Sequence, residues 1–242
     1  KNINVHNNLG TIFNKLRDFQ KARLCYEKVI EIDPNIAMPH YNLGIIFTQT
    51  EEYLKAKKCY EKAIEIDPNN TNAHNNLGLV NNILGEGQKA KSCFEKTIEI
   101  DSNYLEGHNN LGFIFLNLNE YQKAKSYYKK VIEINPNNAG AYNNLGIIYK
   151  ELGELRKAIA CYERVIEINP NYLGVDSNLG IIYSLLNNAI KSVEHHRKAL
   201  ANQSKINFDV EEKNNQSLSP ATSAFFLELT NKCNFHCEFC PS

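Results

Sequence analysis

Residues 141–170 read AYNNLGIIYKELGELRKAIACYERVIEINP, and this stretch decides the fold of most of the chain. Its apolar residues recur at spacings of three and four on both sides of a Leu152-Gly153 pair, which is typical of two amphipathic helices joined by a short turn. Asn169-Pro170 closes the second run, because a residue before proline is biased away from helical geometry. The stretch therefore predicts a helical hairpin.

The same pattern returns along the chain with a period of 34 residues. Each copy has a Leu-Gly pair, and the first five have an alanine twelve residues after the glycine and an aromatic residue four further on. A proline stands near the end of four copies, with Ser102 in its place in the third copy and Ser204 in the sixth. The glycines are Gly10, Gly44, Gly78, Gly112, Gly146 and Gly180. Small residues at fixed places let two helices approach closely, while the aromatic and leucine positions fill the space between them.

This pattern resembles the tetratricopeptide repeat. The resemblance covers six copies, at residues 3–36, 37–70, 71–104, 105–138, 139–172 and a degenerate 173–206. It implies an all-α solenoid, a right-handed superhelix with a concave groove lined by the first helix of each hairpin. The sixth copy departs from the pattern at Asp176, Ser192, His196 and Ser204, and we expect it to be the polar terminal repeat that such arrays need.

Charge and hydropathy exclude two classes of partner. The 242 residues carry 27 basic and 27 acidic side chains, and nucleic-acid binding is not expected because phosphate recognition needs clustered Lys and Arg. No apolar run approaches the roughly 20 residues that cross a bilayer, so we expect no membrane association. The start of the chain has no signal-peptide pattern, which favours a cytoplasmic location. Because Lys1 begins the sequence and Ser242 follows a cysteine cluster, we expect a fragment.

An asparagine stands two residues before each of the six glycines. At about 100° per residue, this position lies away from the seam of the hairpin. A row of amides could bind the N–H and C=O groups of an extended chain without reading its side chains. The row resembles the asparagine ladder in the repeats of O-linked N-acetylglucosamine transferases, which implies a polypeptide or partner protein in the groove. The row comprises Asn8, Asn42, Asn76, Asn110, Asn144 and Asn178. The alternative is compositional bias, since asparagine is frequent throughout this chain.

Histidine and cysteine also recur at fixed positions. The histidines are His6, His40, His74 and His108, with Tyr142 in the fifth copy. Zinc ligands must lie within roughly 2 Å of one ion, whereas equivalent positions in stacked repeats are a helix pair apart, so packing is favoured over metal binding. The cysteines are Cys25, Cys59, Cys93 and Cys161, and we expect them to behave as small buried hydrophobes.

The period ends near Ile206, and the composition changes. Residues 207–220 are polar and end in Ser219-Pro220, which predicts a linker. The short apolar run AFFLELT at residues 224–230 suits a buried strand better than a helix. A second domain is therefore expected to begin within residues 221–242.

This strand leads into TNKCNFHCEFCPS, where Cys233, Cys237 and Cys240 have the spacing C-x3-C-x2-C. The segment resembles the signature of radical S-adenosylmethionine enzymes. The resemblance implies that the three thiolates hold a [4Fe-4S] cluster whose open iron binds S-adenosylmethionine, with Phe239 beside the adenine. The alternative is a zinc knuckle with His236 as fourth ligand. However, His236 is next to Cys237, and two adjacent residues bind one ion in tetrahedral geometry only with difficulty. We expect only the first strand and cluster loop of a partial (β/α) barrel, and no activity from this chain alone.

Two functions remain open at this point. In the first, the repeats deliver a polypeptide to a radical enzyme domain that modifies it. In the second, the repeats are only an assembly module, and the barrel acts on an unrelated small molecule or glycan.

Overall fold

A computed structural model describes the backbone of residues 2–216 and the side chains of residues 2–202. Over these residues the protein is all-α, with twelve helices and no strand. No helix in this part of the chain is both long and apolar enough to cross a membrane. The helices are α1 (Ile3–Lys15), α2 (Phe19–Ile32), α3 (Ala37–Gln49), α4 (Tyr53–Ile66), α5 (Thr71–Ile83), α6 (Gly87–Ile100), α7 (Leu105–Asn117), α8 (Tyr121–Ile134), α9 (Ala139–Glu151), α10 (Leu155–Ile168), α11 (Val175–Leu185) and α12 (Ala189–Gln216).

The helices pair into six hairpins, each made of an odd-numbered first helix and the even-numbered second helix after it. The chain divides into two compact units, Lys1–Pro170 with α1 to α10 and Asn171–Ser242 with α11 and α12. Within the first unit, each second helix also packs against the first helix of the next hairpin. The all-α repeat architecture expected from the sequence is therefore confirmed.

Glycine brings the two helices of a hairpin together. A Cβ atom built on Gly44 would lie only 2.5 Å from Cε1 of Tyr60, and one on Gly146 would lie 2.6 Å from Cε1 of Tyr162. The aromatic ring of the second helix thus lies directly over the glycine of the first. The alanines of the repeat complete this seam, and they are fully buried at Ala22, Ala56, Ala90, Ala124 and Ala158.

The turn inside each hairpin contains one residue with a left-handed backbone. It is glycine in two hairpins, with φ of 77° at Gly85 and 73° at Gly153. The N–H of Gly153 donates to the carbonyl of Lys150 at 3.0 Å, which closes the end of α9. The other four hairpins place a non-glycine residue there with φ between 55° and 61°, namely Arg17, Glu51, Asn119 and Asn187.

The last helix is longer than the sequence predicts. α12 extends to Gln216, beyond the predicted end of the sixth repeat and into the predicted linker, residues 207–220. Residues 207–216 are therefore helical rather than irregular. Glu, Lys and Gln in this stretch are good helix formers, and a helix that is already nucleated extends readily without an apolar stripe. The predicted strand and cluster loop within residues 221–242 lie outside the described residues.

Candidate functional site

The predicted asparagine row lies on the first helices of the hairpins. In the first unit it comprises Asn8 on α1, Asn42 on α3, Asn76 on α5, Asn110 on α7 and Asn144 on α9. Asn178 has the same position on α11 of the second unit. Asn8 is exposed and the other five are half-buried, so their amides can be reached from solvent. We call these side chains the amide row.

The centre of the amide row is part of a hydrogen-bonded chain. Nδ2 of Asn110 donates to Oδ1 of Asn75 at 3.0 Å, and Nδ2 of Asn75 donates to Oδ1 of Asn76 at a long 3.5 Å. Nδ2 of Asn76 in turn donates to the hydroxyl of Tyr41 at 3.3 Å. The chain joins α7, α5 and α3. It therefore holds the central amides in defined orientations before any ligand arrives.

Two members of this hydrogen-bonded network, Tyr41 and Asn75, are not among the site residues predicted from the sequence. They occupy the position directly before the amide row, and Asn75 is only 5% exposed. The recurrence of a polar residue at this position, as Asn7, Asn75, Asn109 and Asn143, is the signal that could have found them. The network uses one of the two N–H groups of Asn110, and an amide can form further bonds through its second N–H and its oxygen.

An apolar row runs beside the amide row on α3, α5, α7 and α9, three residues after the asparagine of each helix. It comprises Ile45, Leu79, Phe113 and Ile147. Leu79 is 40% exposed and Phe113 is 39% exposed, while the two isoleucines are half-buried. Residues three apart on a helix are surface neighbours, with about 5–6 Å between their Cβ atoms. Amide and apolar groups therefore lie side by side on one face of the first helices.

This face carries almost no charge. Among the residues of α3, α5 and α7, Glu106 is the only Lys, Arg, Asp or Glu. The second helices hold the charges instead, and pair many of them along the helix surface. Examples are Lys62 with Glu65 at 2.8 Å and Lys96 with Glu99 at 2.7 Å.

Comparison with protein families agrees with this geometry. Two models described as tetratricopeptide repeat match the chain, one over residues 3–36, 37–70, 105–138 and 139–172, the other over residues 59–91. The chain belongs to the tetratricopeptide-repeat family. The segments matched by the first model coincide with the first, second, fourth and fifth predicted repeats.

Solved structures give the same fold. MamA is 28% identical, with a TM-score of 0.64 over 67% of this chain and 95% of that chain. YrrB, described as a TPR protein with an unusual peptide-binding site, is 25% identical, with a TM-score of 0.65 over 78% of this chain and 97% of that chain. PilF of Pseudomonas aeruginosa shares the fold at 19% identity, with a TM-score of 0.71 over 81% of this chain and 89% of that chain. The comparison with curated proteins found no match.

The recurring histidines join neighbouring tetratricopeptide repeats. Nε2 of His40, His74 and His108 lies 3.1, 3.0 and 2.9 Å from a backbone carbonyl at the end of the preceding repeat. A carbonyl oxygen can only accept, so Nε2 carries the proton in each of these rings. The side chains therefore link successive repeats through hydrogen bonds. Within the described residues, no group of three or more His, Cys, Asp or Glu is placed to hold a metal ion.

The recurring cysteines of the repeats are free and half-buried. Cys59 and Cys93 pack against the apolar core that contains Tyr60. Burial raises the pKa of the Cys59 and Cys161 thiols to about 11, because an apolar environment disfavours the thiolate. At neutral pH these thiols are protonated, so they serve packing rather than nucleophilic chemistry.

The sixth repeat, in the second unit, has a polar pair in its interior. Nδ1 of His195 lies 2.9 Å from Oδ1 of Asp176, and Nδ2 of Asn202 donates to Oδ2 of Asp176 at 3.4 Å. The His195 ring stacks on Tyr183, with 5.5 Å between the ring centres. Asp176 stands where the other repeats have His or Tyr, and His195 stands where they have Cys or Tyr.

The predicted iron–sulfur ligands Cys233, Cys237 and Cys240, and the predicted cofactor contact Phe239, lie outside the described residues. Their geometry therefore has no part in the site described above.

Proposed function

We propose that the tetratricopeptide repeats bind an extended polypeptide along the amide row. The observation that carries this proposal is the row itself, accessible on successive first helices and held in orientation at its centre by the bonds among Asn76, Asn75 and Asn110. Amides can both donate to and accept from the main chain of an extended segment. The peptide-binding site named for YrrB adds support. Asn8 is included because it occupies the same repeat position in the first unit, and Asn178 is proposed on the same ground as a peptide contact within the second unit.

The test is a combined substitution of Asn76→Ala, Asn110→Ala and Asn144→Ala in the full chain. The probes are fluorescein-labelled peptides of about twelve residues, in which Val alternates with Gln, Lys or Glu. Affinity for the probe that binds best should fall by a few kcal/mol, at about 1 kcal/mol for each lost amide pair. Calorimetry and fluorescence anisotropy measure the loss.

A matched variant distinguishes binding by the amide row from a general effect of the asparagine-rich composition. Asn35, Asn69 and Asn103 are exposed asparagines that share one position in the loops between repeats. Replacing these three with Ala should leave the affinity unchanged. Equal affinity in both triple variants would contradict the proposal and favour compositional bias. In the amide-row variant, replacing Asn110 leaves the buried oxygen of Asn75 without its donor, which can destabilise the fold. Circular dichroism therefore checks that this variant is folded.

A second proposal concerns the C-terminal cysteines. We propose that Cys233, Cys237 and Cys240 bind a [4Fe-4S] cluster with S-adenosylmethionine, and that Phe239 contacts the adenine. The donor set of three thiols at C-x3-C-x2-C spacing supports this, and so does its resemblance to radical S-adenosylmethionine enzymes. The bound group would supply a carbon radical by reductive cleavage of S-adenosylmethionine. The repeats would then present a polypeptide for modification; alternatively, they assemble the protein while the enzyme domain acts on a small molecule or glycan.

This second proposal is tested by anaerobic reconstitution of a protein that carries the whole barrel implied by the resemblance. We expect about four irons and four sulfides per chain, and loss of the cluster in Cys237→Ala. Cys161→Ala, in a repeat helix, is the matched control and should keep the cluster. Recovery of zinc instead of iron from protein purified without oxygen would favour the zinc knuckle with His236.

A further inference from the structure

We infer that the polypeptide recognised by the amide row is an uncharged segment with apolar side chains. This inference rests on the proposed function and adds the chemical class of the ligand. It comes from two properties of the face formed by α3, α5, α7 and α9. One is the apolar row, which is exposed at Leu79 and Phe113, and the other is the scarcity of charge.

The apolar row offers contacts that the amide row cannot. On the same helices, Leu111 of α7 and Ile148 of α9 are buried, and both are 0% exposed. Leu79 and Phe113 remain 40% and 39% exposed beside the amides. An extended segment held by the amides places alternate side chains on one side. Apolar side chains directed at this row would remove surface from water on both partners, which favours binding.

Charged segments gain nothing comparable on this face. A charge loses hydration on binding and needs an opposite charge to compensate. An anionic segment finds no Lys or Arg on α3, α5 or α7, and a cationic segment finds only Glu106. At the end of α9, Lys150 and Glu151 lie 3.3 Å apart and pair with each other. The neutral face therefore selects against both signs of charge.

The test compares the three probes on the full chain by fluorescence anisotropy. The Val/Gln probe should bind at least about tenfold more tightly than the Val/Lys and Val/Glu probes. Its affinity should change by less than about twofold between about 50 mM and about 500 mM salt, since screening acts only on charged contacts.

Variants of the apolar row test the cause of the preference. Leu79→Gln and Phe113→Gln should each weaken binding of the Val/Gln probe by about tenfold, because an apolar contact is lost. Both side chains are partly exposed, so the fold should be retained. Leu24→Gln is the matched control, since Leu24 is 57% exposed on the second helix α2, and its affinity should not change. Leu79→Lys should shift the preference toward the Val/Glu probe.

The outcomes separate this inference from the proposed function. If all three probes bind equally and the amide-row variant still abolishes binding, the ligand class is wrong and the amide row stands. If Leu79→Gln and Leu24→Gln have the same affinity as the unaltered chain, the apolar row is not part of the site, and the inference is also wrong. If no probe binds, the proposed function and this inference both fail.

Discussion

Asn81 is a buried polar residue at a position that is aromatic in the other five hairpins. Those residues are Phe13, Phe47, Phe115, Tyr149 and Tyr183. Asn81 is 2% exposed; its Nδ2 lies 3.6 Å from Sγ of Cys93, and its Oδ1 has no hydrogen-bond partner. A buried oxygen without a donor costs about 1–3 kcal/mol. The third repeat therefore contains a local weakness.

Replacing this residue should stabilise the protein. We expect Asn81→Leu to raise the free energy of unfolding by about 1 kcal/mol, because it removes the unpaired oxygen and fills an apolar site. Urea titration followed by circular dichroism measures the change. The exposed neighbour gives the control, since Asn82→Leu should alter stability by less than about 0.5 kcal/mol. A lower midpoint for Asn81→Leu would show that the amide fits its surroundings better than leucine does.

At the scale of helices and hairpins, the sequence predicted what depends on periodic local contacts. The glycine and the aromatic residue that meet across each hairpin are 16 residues apart in every copy, as with Gly44 and Tyr60, so their spacing marks the fold. The bond from Asn110 to Asn75 spans 35 residues and depends on the orientations of two side chains in different repeats. Sequence periodicity indicates where such amides lie but not which of them pair. The helical residues 207–216 were missed because a helix that continues from an established one needs no apolar stripe of its own.

The close approach of helices in the fourth hairpin should not tolerate a large side chain. A Cβ atom at Gly112 would lie 3.0 Å from Cζ of Tyr128, so Gly112→Leu must displace the ring. We expect a loss of about 1–3 kcal/mol or more, with hydrogen exchange increased mainly in adjacent repeats. Gly87→Ala is the control, because no atom lies within 4 Å of its Cβ position, and it should be neutral or slightly stabilising. No change in the denaturation midpoint of Gly112→Leu would mean that the assigned repeat register is wrong.

The turns inside the hairpins offer a second test at this scale. Glu51 has a left-handed backbone with φ of 61°, at the position where the fifth hairpin has Gly153. A side chain is strained in this region, so Glu51→Gly should stabilise the protein by about 0.5–1 kcal/mol after the flexibility of glycine in the unfolded chain is counted. The reverse change, Gly153→Ala, should destabilise it, although no atom lies within 4 Å of the added Cβ. Thermal and urea unfolding measure both. A loss of stability in Glu51→Gly together with a gain in Gly153→Ala would show that the turn residue acts through its contacts rather than through its backbone.

At the scale of the whole molecule, the repeats multiply the effect that a buried thiol or phenol has on stability at high pH. The repeats place thiols and phenols at equivalent positions on successive second helices. Burial raises the pKa of Cys59 and Cys161 from the usual 9.0 to about 11, and that of Tyr60 from 10.0 to about 12. Each of these groups is neutral in the folded protein over a pH range in which it ionises in the unfolded chain.

This difference predicts a protein that is sensitive to alkali. Between about pH 9 and about pH 11 the unfolded chain releases thiol protons that the folded protein retains, so the free energy of unfolding must fall as the pH rises. The contribution is fully present below the unfolded pKa and is lost as the pH passes the folded pKa. Urea midpoints should therefore be steady near neutral pH and decline above about pH 9. Combining Cys59→Ala with Cys161→Ala should make this decline shallower, whatever its effect on stability at neutral pH, because two of the groups that release protons are removed. An alkaline decline of equal slope in the double variant would assign the sensitivity to the remaining buried thiols and tyrosines instead. A midpoint that stays constant to about pH 11 would show that these thiols reach water far more readily than their packing implies.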